Sequence, residues 1–322
     1  MNLTTHYLRF TAQATAPLEL DQHSGAALRG ALTGALWERF CSNKAAPSCA
    51  TCPLVHVCPV AALVAPLRDE DESGGDQRPR PYTIRPPLAG ARAYGPGETI
   101  TFQLGLIGQA AQLFPYVVMA AQGLEQGGIG KRVALNNYRR GTVAVREIAA
   151  VNPLTGEIQQ LYHADRQIVK TPGLPITPLD VAARAAALPT AQITLHFKTP
   201  LRLIEQKQLV KQIALRPLLQ RLMRRLDSLS RAYGDGPLCI NFRELLDIAE
   251  QVQVVDDQTR WVDLVSYSSR QRQHTPIGGL VGSATFVGEL APLRELLVWG
   301  SLVHVGKNAV KGDGWYEIVD QQ

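Results

Sequence analysis

Four of the chain's five cysteines lie close together, as Cys41, Cys49, Cys52 and Cys58 in the pattern C-x7-C-x2-C-x5-C. Thiolates bind zinc tetrahedrally, and a C-x2-C pair makes one half of such a site. Clustered cysteines in a reducing compartment point to metal ligands rather than disulfides. Prolines after Cys52 and Cys58 favour tight turns, and His56 stands close enough in sequence to replace one sulfur. A structural zinc is the first reading; an iron–sulfur cluster and unmetallated thiols are the alternatives. A structural site keeps no open coordination position, so no catalytic metal is expected from it.

A second set of residues lies near the C-terminus. IGGLVGS brings together Gly278, Gly279 and Gly282, and HVGKNAVKGDGWY sets Gly306, Gly312 and Gly314 around Lys307 and Lys311. Glycines let backbone N–H groups approach a phosphate, and lysines add charge. A hairpin with flexible turns gives the same composition. Gly306-Lys307 is followed by Asn308, which breaks the Walker pattern and argues against a nucleotide-hydrolysing P-loop. Residues 201–232 hold eight Arg/Lys, Arg221 and Arg225 among them, against Glu205 and Asp227; Arg270 and Arg272 add a second basic stretch. Beside two glycine loops these favour a nucleic acid, although a solvated helix face is the bland reading of such a run.

Of the seven histidines, His23 stands just before a helix, beside Ser24 as its cap. A helix N-terminus disfavours a cation and can hold a phosphate on its free N–H groups. A base and an anion site in one place suit attack by an RNA 2′-hydroxyl on its neighbouring phosphate. A capping or loop histidine is the alternative. His304, inside the glycine-rich loop, is a weaker second candidate.

The elements that carry these residues are readable from periodicity. HYLRFTAQ alternates, with Leu8, Phe10 and Ala12 on one face and Tyr7, Arg9 and Thr11 on the other. From Ser24 a helix follows with Leu28, Leu32, Leu36 and Phe40 as its stripe. Ala26, Gly30 and Gly34 form a second line, which suggests close backbone approach. After the cysteines, residues 67–81 are acidic and then Gly- and Pro-rich, and read as a mobile loop. A strand over Thr99–Gly108, a helix near Ala110–Gly123, GGIGKR and strand-like stretches near Val143 and Gln159 close the first half.

The second half begins the same way, with Ile193, Leu195 and Phe197 inward in ITLHFKTP. A helix over Leu215–Tyr233 carries Leu215, Leu218, Leu219, Leu222, Leu226 and Leu229. Strands near Val262 and Thr285, a helix over Pro292–Trp299 and a last strand at WYEIV complete it. Strand–helix–strand–strand–helix–strand in each half is the split βαβ order. The expected fold class is α+β, with tandem ferredoxin-like (RRM-like) domains. Residues 1–190 form the first, with a cysteine-rich metal-binding insertion at 41–66; residues 191–322 form the second, with the glycine-rich loop.

Composition agrees with a soluble protein of 322 residues: 45% hydrophobic, 19% charged, net charge +5. No apolar run reaches the roughly 18 residues of a membrane span. The first residues have no basic-then-apolar leader, so the cytoplasm is expected and no membrane partner.

These segments resemble CRISPR-associated repeat-RNA-processing endoribonucleases of the RAMP superfamily. In the first half the resemblance rests on HSGAALRGALTGALW and the cysteine segment after it. In the second it runs over about residues 193 to 318, through ITLHFKTPLRLI, RPLLQRLMRRLDSLSRAYG, SSRQRQHTPIGGLVGSATF and LLVWGSLVHVGKNAVKGDGWYEI. It implies precursor CRISPR RNA as substrate and metal-independent cleavage within each repeat, leaving a 2′,3′-cyclic phosphate and a 5′-hydroxyl. The family's glycine-rich loop has the form G-h-G-x5-G-h-G. Here His304 replaces the first glycine, and Asp313 stands where a hydrophobic residue belongs. The resemblance puts a general base in or beside the first helix, where His23 stands.

On this basis His23 takes the proton, and Arg29 or Lys44 stabilises the phosphorane. Arg270, Arg272, Gly279, Gly282, His304, Gly306, Lys307, Lys311, Gly312 and Gly314 hold RNA, with Arg221 and Arg225 adding phosphate contacts. The expected partners are repeat and guide RNA, with subunits of a CRISPR effector complex and a second copy of the chain also compatible. The rival readings are a non-catalytic guide-RNA-binding subunit and, from another class, a zinc-stabilised DNA-binding regulator.

Overall fold

The computed structural model describes residues 2–67, 78–166, 168–268 and 273–320. Arg270, Arg272 and most of the loop expected at 67–81 lie outside the described residues. The chain forms two compact units, Thr4–Pro175 with Ala232–Gly234, and Ile176–Arg231 with Asp235–Gln322 and Met1–Leu3.

The N-terminal unit runs β1 (Thr5–Ala14), β2 (Leu18–Leu20), α1 (Gly25–Phe40), α2 (Pro59–Val64), β3 (Tyr82–Arg85), β4 (Arg92–Tyr94) and β5 (Thr99–Ile107). It continues with α3 (Phe114–Gln122), α4 (Leu124–Gly127), β6 (Ile129–Val133), β7 (Arg139–Gly141), β8 (Val143–Val151) and β9 (Ile158–His163). Its main sheet is antiparallel, in the order β3-β5-β1-β8-β9. The alternation of β1 turns Leu8, Phe10 and Ala12 into the core, where Phe10 stacks on Phe102 at 5.0 Å. Leu28, Leu32 and Leu36 of α1 are buried, and Phe40 meets Tyr116 edge-on at 5.1 Å. Each such leucine contributes about 1.5–3 kcal/mol on burial.

Two expectations for α1 fail. Ser24 is the N-cap residue, but its side chain accepts no capping hydrogen bond. Gly30 and Gly34 are exposed, with nothing within 4 Å of a built Cβ. Their line of small residues therefore marks an open helix face and not a close backbone approach.

The C-terminal unit runs α5 (Pro178–Ala186), β10 (Gln192–Leu201), β11 (Ile204–Glu205), β12 (Gln208–Leu209), α6 (Leu215–Tyr233) and α7 (Phe242–Gln251). Then come β13 (Gln253–Asp257), β14 (Arg260–Val262), β15 (Val265–Ser268), β16 (Gln273–Pro276), β17 (Gly279–Val287), α8 (Arg294–Val303) and β18 (Tyr316–Val319). Its sheet has the order β13-β17-β10-β18, with β14 also paired to β17. All six leucines of the α6 stripe are buried. Helix α5 packs against α8, which is why the units divide at Pro175 and Ile176, ahead of α5. Gly300 of α8 admits the Tyr316 hydroxyl, which donates to the Leu297 carbonyl at 2.6 Å. Burial pushes that phenol far above its ordinary range.

Candidate functional site

The entry to α1 gathers the first candidate residues. Its first turn is Gly25-Ala26-Ala27, with no acidic residue and no side-chain cap. Two helices are finished differently: α5 starts on a Thr177–Asp180 capping box, and Asn241 caps α7 by accepting from the Glu244 amide at 3.3 Å; α2, α3 and α8 also lack a side-chain cap, but none of them has so small a first turn. A small-residue, uncapped N-terminus leaves amide donors and positive potential for an incoming anion. His23 precedes it, half-buried, with Nε2 shielded from solvent. The approach to His23 is braced from the side, because Lys131 of β6 bonds Asp21 at 2.7 Å and Glu19 at 2.8 Å. Those two carboxylates raise the Lys131 ammonium above its ordinary range.

Arg29 stands on α1, in the second turn after the helix start that His23 precedes. It lines a small apolar cavity with Leu32, Leu36, Tyr82 and Leu104, and its Nε is buried with no hydrogen-bond partner among the described residues. Arg80, which donates to the Val64 carbonyl at 2.5 Å, is pushed below its usual range by burial and then by the charge of Arg29. Sequence reading missed Arg80, whose only signal was its place in a Pro-Arg run.

Lys44 does not join this group. It follows the far end of α1, and a helix of 16 residues is about 24 Å long. There Lys44 pairs with Glu38 at 2.8 Å and lies 5.0 Å from the Trp37 ring centroid.

In the C-terminal unit the glycine-rich turn folds over the end of β10. The Lys307 amide donates to Arg202 O at 3.0 Å, Gly314 N to Pro200 O at 3.0 Å, and Val305 N to Gly314 O at 3.0 Å. The glycines serve this packing. A Cβ on Gly306 would come within 2.6 Å of Arg202 O, one on Gly279 within 2.5 Å of Leu201 O, and one on Gly282 within 2.4 Å of Gln258 O. Gly312 and Gly314 are buried and left-handed, with φ of 90° and 69°. His304 is fully buried, as is Asp313, and its ring stacks with Trp315 at 6.4 Å. A buried imidazole is a packing group, so the structure does not put His304 on a surface that RNA can reach. Lys307 is exposed and Lys311 half-buried.

The α6 cations are mostly occupied. Arg216 pairs with Glu205 and Glu250, and Arg231 with Asp227. Arg221 donates to the Ile204 carbonyl, and Arg225 Nε to Val303 O at 2.8 Å. Both are bracing contacts rather than an open row of phosphate donors. Arg224 is exposed. A residue that sequence reading missed stands near the turn: Trp261 has Arg202 at 5.9 Å and Lys211 at 5.8 Å from its ring centroid. Cation-flanked aromatics of this kind suit base stacking.

The four cysteines are strung along successive turns. Cys41 ends α1, Cys52 N donates to Cys49 O at 3.2 Å, and Cys58 precedes α2. Cys52 Sγ accepts from Asn43 Nδ2 at 3.7 Å. The donor set has zinc's chemistry, but among the described residues no three His, Cys, Asp or Glu side chains form a metal-holding group. As folded here, the thiols are not gathered around one point.

Residues 195–316, from β10 to β18, match the family model described as CRISPR-associated endoribonuclease Cas6. Residues 3–174 match the model AF_1859_N, described as an N-terminal domain. No curated protein sequence matches the chain. Among solved structures, a Cas6 product complex is 16% identical with a TM-score of 0.53, covering 98% of this chain and 100% of that one. Thermus thermophilus Cas6 is 13% identical with a TM-score of 0.55, covering 98% and 99%. A partial Cas6-RT-Cas1–Cas2 complex is 13% identical with a TM-score of 0.61, covering 98% of this chain and 46% of that one. At such identities the likeness is one of fold.

Proposed function

We propose that this chain, whose residues 195–316 match the Cas6 endoribonuclease model and whose residues 3–174 match the AF_1859_N model, is a Cas6-type endoribonuclease that cuts precursor CRISPR RNA within its repeats. Strand order supports reading both units as ferredoxin-like: β3-β5-β1-β8 and β13-β17-β10-β18 repeat one pattern, with β9 added to the first. The observation that carries the chemistry is His23 beside an uncapped, small-residue helix N-terminus. The RNA phosphate sits against the first-turn amides. His23 removes the proton from the adjacent 2′-hydroxyl, and the resulting oxygen attacks phosphorus. The bond to the 5′-oxygen breaks and that oxygen takes up a proton from water, leaving a 2′,3′-cyclic phosphate and a 5′-hydroxyl. Arg29 is the nearest cation on the same helix for the developing charge; Lys44 drops out of the mechanism. Lys307, Lys311 and the Trp261 cluster hold the strand in the C-terminal unit. A structural zinc on Cys41, Cys49, Cys52 and Cys58 stays in this reading on the strength of its donor set, and no step runs through it.

The test is incubation of repeat RNA with the protein in EDTA, with analysis of the product ends. Cyclic phosphate is expected. His23→Ala should slow cleavage by about 10²- to 10⁴-fold with binding retained, while Lys44→Ala cuts at the parent rate. Full activity in His23→Ala removes that residue as the base. Tight binding without any cut product makes the chain a guide-RNA-binding subunit instead.

A further inference from the structure

The hairpin of β6 and β7 plays no part in the reaction just described. Between Ile129 and Gly141 it carries Lys131, Arg132, Arg139 and Arg140, and no acidic residue. Its base is clamped to β2. A Cβ on Gly130, at φ +79°, would come within 2.3 Å of Glu19 O, and one on Gly141 within 2.5 Å of the Leu18 Cα. Only glycine permits two backbones to meet so closely. Lys131 adds its bonds to Glu19 and Asp21, two residues ahead of His23. The hairpin is thereby held in register with the entry to α1.

Its tip is built outward. Leu135 is 89% exposed and Tyr138 71%. Asn137 and Tyr138 are both left-handed, with φ of 51° and 57°, a conformation uncommon for a bulky aromatic residue. Internal bonds hold it: Tyr138 N donates to Val133 O at 3.0 Å, and Asn136 Nδ2 to Arg140 O at 2.9 Å. Arg140 donates to the Gly130 carbonyl, and Arg139 is exposed. Closing a hairpin requires neither an outward aromatic nor an all-cationic rim. A polyanion whose units carry flat rings matches both features.

We propose that this hairpin is an RNA-binding finger, in which Tyr138 stacks on an unpaired base of the substrate while Arg132 and Arg139 hold the flanking phosphates. The proposal rests on the reading that the substrate is RNA. It adds a specificity element on the N-terminal unit, tied through Lys131 to Glu19 and Asp21 in the approach to His23.

The experiment measures repeat-RNA affinity of the full chain at several salt concentrations, for the parent, Tyr138→Ala, Tyr138→Phe and Arg139→Ala. Tyr138→Ala should bind about 5- to 150-fold more weakly, and Tyr138→Phe should keep parental affinity, because a ring is what stacks. Arg139→Ala should lower the salt slope by about 0.7. Thermal unfolding should not move, since all these side chains are exposed. Parental affinity in Tyr138→Ala overturns the finger and leaves the RNA-processing reading intact. A parent protein that neither binds nor cuts repeat RNA defeats the substrate reading itself, and the finger falls with it.

Discussion

Gly314→Ala decides what the glycines of the C-terminal turn are for. If they exist to let a phosphate approach, a methyl group there should harm RNA binding and spare the fold. The geometry argues the reverse. Gly314 has φ +69°, which costs an alanine about 1 kcal/mol. A Cβ would fall 1.7 Å from Val305 O. That obstacle is backbone and cannot swing away, so the turn has to shift. Shifting disturbs the Gly314–Pro200 and Val305–Gly314 bonds, both 3.0 Å and both buried. Each bond contributes about 0.5–1.5 kcal/mol, and a buried group left unsatisfied costs more. The sum is about 2–4 kcal/mol, or about 4–16 °C in unfolding temperature for a unit of this size. Calorimetry or circular dichroism on the full chain reads it. Gly30→Ala is the internal control. With open space around it inside a helix, it should raise stability by about 0.5–1 kcal/mol. A fall under about 2 °C for Gly314→Ala refutes the packing argument and returns the glycines to the ligand.

Other outcomes follow from the same structure. Burial lowers the His6 imidazole below its ordinary range. Well above the ordinary imidazole range the ring is neutral in both the folded and the unfolded chain. As the pH falls, the unfolded chain takes up the proton first, so stability declines until the folded-state value is passed. His6→Gln should flatten that decline in a pH series of unfolding temperatures. Elemental analysis of purified protein should find about one zinc per chain, lost in Cys52→Ser; metal-free parent protein of full stability discards the zinc. Arg225→Gln should lower unfolding temperature by removing the guanidinium from Val303 O, and an unchanged midpoint would show that this brace contributes nothing.

The core was legible because burial has a period. The alternation of β1, the leucines of α1 and the six of α6 all point inward as their spacing requires. Helix α7 was legible and was missed: Asn241 followed by Glu244 is a start signal, and Phe242, Leu245, Leu246 and Ala249 form an apolar stripe, although only Ala249 is fully buried. The site was half legible. His23 could be placed at a helix entry from Ser24 and the stripe that follows. Lys44 could not be excluded, since closeness in sequence hides the length of a helix. Glycine is the deeper difficulty. Gly30 and Gly314 are the same letter, yet one faces open space and the other a carbonyl oxygen. Which neighbour a missing side chain makes room for is settled by tertiary packing. Tyr138 illustrates the same point: its outward aim depends on two left-handed residues that no spacing rule announces.

The amides of Val305, Lys307, Lys311, Gly312 and Gly314 are already committed to the turn's own scaffold. On the proposed reading, the hold this turn has on a transcript is then chiefly ammonium against phosphate. Such a hold senses charge density but is indifferent to the letters of the message. Raising ionic strength should loosen it steadily for every transcript alike. Discrimination between one repeat and another has to come from outside this turn, so tenacity and literacy reside in separate parts of the molecule.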